Sequence, residues 1–283
     1  MSKIILSAFA DEYNPDFDKQ LEVLKKFDIS MLELRFADKI NVSDFTDEKV
    51  NEIKKKLDAS GISLSALGSP LGKISLDDDM DKHLEIAKRT FETAEKLGAK
   101  NIRFFSFYPH KDMDIMDSEN EVFEKVGRLV DVASNFDVCL CHENEAKIYG
   151  ESPENCLKLM KEFDGRIKCV FDMGNFVLDG YKPYPDAFEL LKEHIEYFHI
   201  KDSLYAGAIV PPGKGEASIP EILKAYKDYA DRDFIITLEP HLQTFDGLNA
   251  LVGKEFDNPY KFNSPEEAFL VAVDEIKNIV GSF

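Results

Sequence analysis

Four short stretches concentrate the side chains able to do chemistry: His142-Glu143-Asn144-Glu145, Phe171-Asp172-Met173-Gly174-Asn175, His199-Ile200-Lys201-Asp202 and Leu238-Glu239-Pro240-His241. Each places an ionisable group at or near the end of an apolar run. Burying a carboxylate there costs several kcal/mol unless a cation or hydrogen bonds compensate it. Any one of these acids reads equally well as a cap for the following helix or as a solvated side chain. Four converging groups are harder to explain as packing. Two glutamates, one aspartate and one histidine suit Mn2+, Mg2+, Co2+ or Zn2+, and the residue types do not choose among these ions.

The elements that must position these groups are legible as a change of period. Apolar, strand-like runs occur at 4–9, 31–36, 62–67, 101–107, 138–143, 167–173, 195–200 and 234–238. Between them, apolar residues recur at helical spacing: Phe17, Leu21 and Leu24; Val50, Ile53 and Leu57; Leu84, Ala87, Phe91 and Ala94; Val122, Val126, Leu129 and Ala133. Ser152-Pro153-Glu154 and Ser264-Pro265-Glu266-Glu267 are helix starts with proline at the first helical position, and Gly61 and Gly98 stand where helices should end. Eight strand-helix units without a composition break favour one α/β domain over residues 1–283, a single (β/α)8 TIM barrel. A doubly wound sheet is the alternative, but it calls for a glycine-rich phosphate loop after the first strand. The residues there are Ala10-Asp11-Glu12-Tyr13-Asn14. In a barrel, chemistry sits at the carboxyl ends of the strands, where the four stretches lie.

Composition narrows the function classes. The 283 residues are 44% hydrophobic and 31% charged, enough for a sizeable core and unlike a disordered chain. A formal charge of −19 gives no drive toward nucleic acid or anionic lipid. The opening apolar run stops at Asp11 and Glu12, too short for a signal sequence, and no stretch reaches bilayer-spanning length. Cys139 and Cys141 lie two apart on one strand, a spacing that rarely forms a bond, while Cys156 and Cys169 are isolated. Reduced thiols and a cytoplasmic location are the expectation.

Glu143-Asn144, Asp172-Met173-Gly174-Asn175, His199-Ile200-Lys201-Asp202, Pro212-Gly213-Lys214-Gly215-Glu216, Leu238-Glu239 and the earlier Glu33-Leu34-Arg35 together resemble the sugar phosphate isomerase/epimerase family. These are the xylose isomerase-like barrels of the AP endonuclease family 2 superfamily. The match spans nearly the whole chain, and its specificity lies in the order of motifs across successive strands. The resemblance implies that Glu143, Asp172, His199 and Glu239 bind one divalent metal ion. It also implies a small-molecule carbohydrate substrate and an expected homo-oligomer. Apurinic endonucleases of the same superfamily resemble the chain at these strand ends but carry extra histidines. Asn175, Ala66-Leu67-Gly68-Ser69 and Phe105-Ser106-Phe107-Tyr108 stand where those would fall, which argues against a nuclease.

Isomerising a keto-sugar or polyol, or inverting the carbon beside its carbonyl, needs one base and one acid, with a divalent ion to hold the enediolate charge. Glu143 and Glu239 are the expected pair. A dehydratase of the inosose type shares the first proton abstraction, and a non-catalytic sugar-binding barrel is a further alternative. Strand alternation puts Tyr197 and Lys201 on the face of His199, and Thr237 and His241 on the face of Glu239. Lys201, Arg35, Asn175, His241 and Lys214 are the expected substrate-side residues. For Lys201 the blander reading is a structural pair with Asp202 or Glu239; for Arg35 it is a pair with Glu33. His142 should point away from the barrel centre. The loop at 211–215 reads as a substrate-side loop, the connection from His241 to Asn263, carrying Phe245, Asn249 and Phe256, as a lid. The cluster at 104–108 reads as sugar-stacking or, more plainly, as core.

Overall fold

The computed structural model describes residues 2–242 and 260–283. Eight parallel strands close into a barrel: β1 (Ile4–Ala8), β2 (Met31–Leu34), β3 (Ser63–Leu67), β4 (Asn101–Phe104), β5 (Cys139–Glu143), β6 (Ile167–Asp172), β7 (Ile195–Ile200) and β8 (Phe234–Leu238). Neighbours in the ring are neighbours in the chain, and β8 closes on β1 with Ile4 opposite Phe234 and Ala8 opposite Leu238. The (β/α)8 barrel expected from the strand count is the observed fold.

The helices form where period and caps place them. They are α1 (Phe17–Lys26), α2 (Asp47–Ser60), α3 (Met80–Leu97), α4 (Glu119–Ala133), α5 (Pro153–Glu162), the short α6 (Met173–Leu178) and α7 (Phe188–Leu191), then α8 (Ile219–Tyr229) and α9 (Pro265–Gly281). Ser152 and Ser264 accept from the third backbone N–H beyond them, with proline at the first helical position in both helices. Gly61 and Gly98 end α2 and α3 at φ +73° and +82°, a left-handed conformation that costs glycine little. Among the described residues no helix is long and apolar enough to cross a membrane.

Two zones of packing hold the strands. Between barrel and helices, Phe171, Phe176, Phe188, Phe198, Tyr226 and Phe234 meet edge to face. Each buried ring contributes roughly 1.5–3 kcal/mol. Inside the barrel, Ala66, Cys141, Val170 and Tyr197 form a small apolar layer. Cys139 and Cys141 sit with their sulfurs 3.9 Å apart, and all four cysteines are free thiols. Above that layer, toward the carboxyl ends, the barrel interior turns charged.

The fourth strand is shorter than its apolar run. After Phe104 the chain leaves the sheet and pairs with the loop that follows β3: Phe105 N–H donates to Leu71 O at 2.7 Å and Phe107 N–H to Gly72 O at 3.0 Å. Gly72 makes this approach possible, since a Cβ there would lie 1.9 Å from Phe105 O. Phe104, Phe105 and Phe107 are fully buried, so most of the aromatic cluster is core.

Candidate active site

The apolar-to-charged switch puts four donors around one point. Glu143 ends β5, Asp172 ends β6, His199 lies one residue before the end of β7, and Glu239 follows β8, with its N–H bonded to Ile200 O at 3.1 Å. Registration across the sheet aligns Asp172 with His199 and His199 with Thr237. His199 Nδ1 is 2.7 Å from Glu143 Oε1, 3.3 Å from Glu239 Oε2 and 4.0 Å from Asp172 Oδ2. All four side chains are buried, with one ligand atom from each within 4.8 Å of the others. Donors about 2.0–2.2 Å from a shared ion lie roughly 3–4 Å apart, so the spacing fits a divalent cation.

A supporting shell aims these groups. Glu33, fully buried on β2, takes His199 Nε2 at 3.1 Å and the Tyr197 hydroxyl at 3.0 Å. Holding Nε2 in this way leaves Nδ1 facing the carboxylates. The Asn144 side chain clamps two strands: its Nδ2 donates to Asp172 O at 2.9 Å, and its Oδ1 accepts from Asp172 N–H at 3.0 Å. Asp172 divides its two oxygens. Oδ1 caps α6 through Asn175 N–H at 2.8 Å, whereas Oδ2 meets Lys201 Nζ at 3.0 Å. The helix-cap reading of this residue therefore holds at Oδ1, while Oδ2 faces the charged cluster. Arg103 reaches Glu143 Oε2 at 3.1 Å and Glu239 Oε1 at 3.6 Å, and Arg35 reaches Glu239 Oε1 at 3.0 Å. Both guanidiniums lie over the Phe9 ring.

Charge explains the titration of the cluster. Burial opposes a charged His199, but Glu143, Glu33 and Glu239 outweigh it and hold the ring well above the ordinary imidazole range. Burial likewise works against an ionised Glu143, yet His199 and Arg103 bring it down to about 2. Asp172 goes the other way. Burial, with Glu143 and Glu239 against the opposing pull of Lys201, raises it to about 6. Glu239 Oε2 is buried and makes no hydrogen bond, although His199 Nδ1 and Lys201 Nζ each lie 3.3 Å away. An acceptor oxygen left open on a buried carboxylate, beside an aspartate close to taking a proton, is the pattern of a site completed by a cation.

The expected residues do not all meet at one point. Glu143, Asp172, His199, Glu239 and Lys201 come together, as alternation along β7 requires, and Tyr197 shares their face. Asp202 turns away from Lys201, which meets Asp172, Asn175 Oδ1 at 2.9 Å and Glu239 instead. Asn175 also donates to Asn144 O, so it braces the lysine and the strand end. Arg35 does not pair with Glu33. It bonds Asp11, Glu12 and Glu239, because Glu33 is engaged by Tyr197 and His199. His241 Nδ1 lies 2.6 Å from Glu12 and its Nε2 3.7 Å from Glu239. Lys214 departs from its expected place. Its Nζ sits 3.1 Å from Glu275 of α9, and the loop around it wraps Asp202. His142 points away from the barrel interior, onto Ser106 Oγ at 2.9 Å. The expected lid falls largely on residues 243–259, including Phe245, Asn249 and Phe256, which lie outside the described residues.

Arg103, Asp11 and Glu12 are the contributors that pattern reading passed over, and Glu33 entered it only within a motif and as a partner for Arg35. Arg103 stands between Ile102 and Phe104 in an apolar run. A charged residue in that position must find a buried partner, and this was the available signal.

The chain belongs to the family of xylose isomerase-like TIM barrels, whose model matches residues 21–255. No curated protein matches it. Among solved structures it is similar to the IOLI protein with a bound zinc atom, at 19% identity and TM-score 0.74 over 99% of each chain. It is also similar to D-allulose 3-epimerase from Methylomonas sp. in complex with D-allulose, at 14% identity and TM-score 0.74 over 100% of this chain and 98% of that one. A third is D-psicose 3-epimerase from Clostridium cellulolyticum H10 with D-tagatose, at 16% identity and TM-score 0.72 over 97% and 99%. At such identities the likeness establishes the fold.

Proposed function

We propose that the protein is a metal-dependent isomerase or epimerase of a small keto-sugar, polyol-derived ketone or sugar phosphate, working by proton transfer through an enediolate. One observation carries the reading. Glu143 and Glu239 each turn one oxygen toward the donor cluster, and each rests the other on an arginine, Arg103 or Arg35. The zinc in one similar barrel and the ketohexoses in two others support a metal and a carbohydrate ligand.

In this reading Glu143, Asp172, His199 and Glu239 hold one divalent ion. Such an ion, when bound, supplies a Lewis acid that acidifies the C–H bond beside a carbonyl and neutralises enediolate charge. The protein does the rest. Glu143 is held in its base form by His199 and Arg103, and Glu239 well below the ordinary carboxylate range, against its burial, by Lys201, His241 and His199. One carboxylate takes the proton from carbon, and the other returns a proton to the neighbouring carbon or the opposite face. Reversing the reaction exchanges the roles. Lys201 Nζ, on the Asp172 side of the cluster, donates to a substrate hydroxyl. Arg35 and His241 act as positioning residues for Glu239, a narrower role than substrate contact.

The test is solvent labelling. In deuterated buffer with Mn2+, ketohexoses should gain one deuterium at the carbon that receives the returned proton, without loss of water. In Glu143→Gln and Glu239→Gln the rate should fall about 100-fold to 10,000-fold while the variants stay folded. Undiminished exchange in both variants rules out the two-carboxylate mechanism. A product lighter by one water assigns the chain to the dehydratases instead.

A further inference from the structure

The strand that ends in Glu143 begins with sulfur. Cys139, Cys141 and Glu143 alternate onto one face of β5, so the two thiols lie inside the barrel toward its amino end, below the charged cluster. Cys141 is fully buried in the layer it shares with Ala66, Val170 and Tyr197, whereas Cys139 lies at the edge of that layer and is only half-buried. Their sulfurs stand 3.9 Å apart, and Cys141 Sγ is 3.6 Å from Cys139 O.

Packing accounts for one of these thiols. A buried cysteine behaves as a small apolar side chain, which is reason enough for Cys141. It does not account for a second sulfur brought up to the first at a partly exposed edge. The spacing separates the chemistries open to such a pair. A disulfide would need the sulfurs to close to about 2.05 Å between residues whose Cα atoms, two apart on a strand, stand roughly 6.6 Å apart, near the far end of the range such bonds tolerate. A shared ion asks for almost no movement. At a metal–sulfur length of about 2.3 Å, two thiolates on one ion stand roughly 3.8 Å apart at a tetrahedral angle and roughly 4.0 Å apart at a trigonal one. The observed distance falls between the two.

The donor set and its surroundings narrow the ion. Thiolates select soft ions, unlike the carboxylates at the other end of the strand. Zinc in a closed site wants four protein ligands, and here two sulfurs meet. Two thiolates around a monovalent ion keep one net negative charge. Lys168 and Arg232 act on Cys139 from nearby, and the carboxylate that opposes them, Glu196, is itself paired with Arg232 at 2.8 Å. The hydrogen bond from Cys141 outweighs burial and draws the Cys139 thiol below its ordinary range.

We propose that Cys139 and Cys141 form a thiolate site for a soft monovalent metal ion, cuprous copper, at the amino end of the barrel. Binding releases the two thiol protons and changes no oxidation state. The proposal goes beyond the isomerase or epimerase reading and stands without it.

The test is an anaerobic titration of cuprous ion into the Mn2+-loaded protein against a chromogenic cuprous chelator, with Cys139→Ser, Cys141→Ala and Cys156→Ala alongside. Cys156 is the control, since its thiol donates to Gly150 O at 3.1 Å, away from the pair. Wild type and Cys156→Ala should each take one cuprous ion per chain. Cys139→Ser and Cys141→Ala should bind it at least about 100-fold more weakly, because the second thiolate otherwise binds within the same molecule. Equal affinity in all four proteins, loss of binding in Cys156→Ala, or no binding in wild type overturns the proposal. If Cys139→Ser or Cys141→Ala fails to fold, X-ray absorption at the copper edge of wild type and Cys156→Ala decides. Two sulfur neighbours are expected in both, and fewer than two overturns the site.

Discussion

The inside of the barrel and the layer outside it each hold a fully buried histidine, and the two titrate in opposite directions. His142, on β5, faces outward to Ser106 and the Phe104 ring, and burial pushes it down to about 3. His199, on β7, faces inward to Glu143, Glu239 and Glu33, which hold it well above its ordinary range against the cost of burial. Burial alone therefore says nothing about role. What differs is the charge of the neighbours: His142 meets one hydroxyl and keeps an Nδ1 without a hydrogen bond, whereas both ring nitrogens of His199 meet carboxylates. Asp202 and Glu239 differ in bonding: the first is satisfied by four backbone N–H groups, and the second keeps a buried oxygen without a hydrogen bond.

The largest expected effect comes from breaking the open side. His199→Ala should reduce bound metal from about one ion per chain to background, measured by elemental analysis after chelation and remetallation. Retention of a full equivalent would remove His199 from the ligand set. Outside the barrel, the pH response of His142 sharpens the comparison. Its folded pKa lies below the ordinary 6.5, so the stability gained from keeping it neutral is fully present above about pH 6.5 and is lost as pH falls toward 3. The loss is on the order of 4 kcal/mol by the acid end. Denaturant midpoints of His142→Gln should show a flatter slope than wild type between pH 6.5 and 4; parallel slopes would show that His142 titrates normally. Glu33→Gln should weaken metal binding about 10-fold to 100-fold in a chelator competition, because it loosens the orientation of His199 without removing a ligand. An unchanged affinity would make Glu33 a packing residue. The smallest effect belongs to Lys214→Ala, which breaks a partly exposed pair with Glu275. Stability should change by less than about 1 kcal/mol, with metal affinity and turnover unmoved. A tenfold fall in turnover would return Lys214 to the substrate side.

The strand ends were legible because each of the four apolar runs breaks on or beside an ionisable residue, and alternation then says which neighbours share its face. Ser152, Ser264, Gly61 and Gly98 were legible for a similar reason: caps and left-handed helix ends depend on local chemistry that only a few residue types provide. The pairing of Lys214 was not legible because its partner, Glu275, arrives from a helix sixty-one positions later, and no local pattern encodes that meeting. Arg103 was passed over because a charged residue inside an apolar run looks like an interruption until its carboxylate partners on β5 and after β8 are in place. The run at 101–107 overshot its strand because Gly72, in a different loop, supplies the competing hydrogen-bond partners.

The closing of β8 onto β1 also bears on how the chain is made. A ribosome delivers Glu143, Asp172 and His199 before Glu239, and the register from Ile4–Phe234 to Ala8–Leu238 must form across more than two hundred residues to bring that last proposed ligand home. Contacts so distant in the chain are slow to form. On the metal-dependent reading, a nascent chain thus holds an incomplete claw, and firm capture of an ion waits for the circle to shut. By mass action, an ion held by the finished ring and not by its precursors favours the shut state. Scarcity of metal would accordingly be felt first as opening along the junction of the first and last strands, a sensitivity that hydrogen exchange in Ile4–Ala8 and Phe234–Leu238 would register.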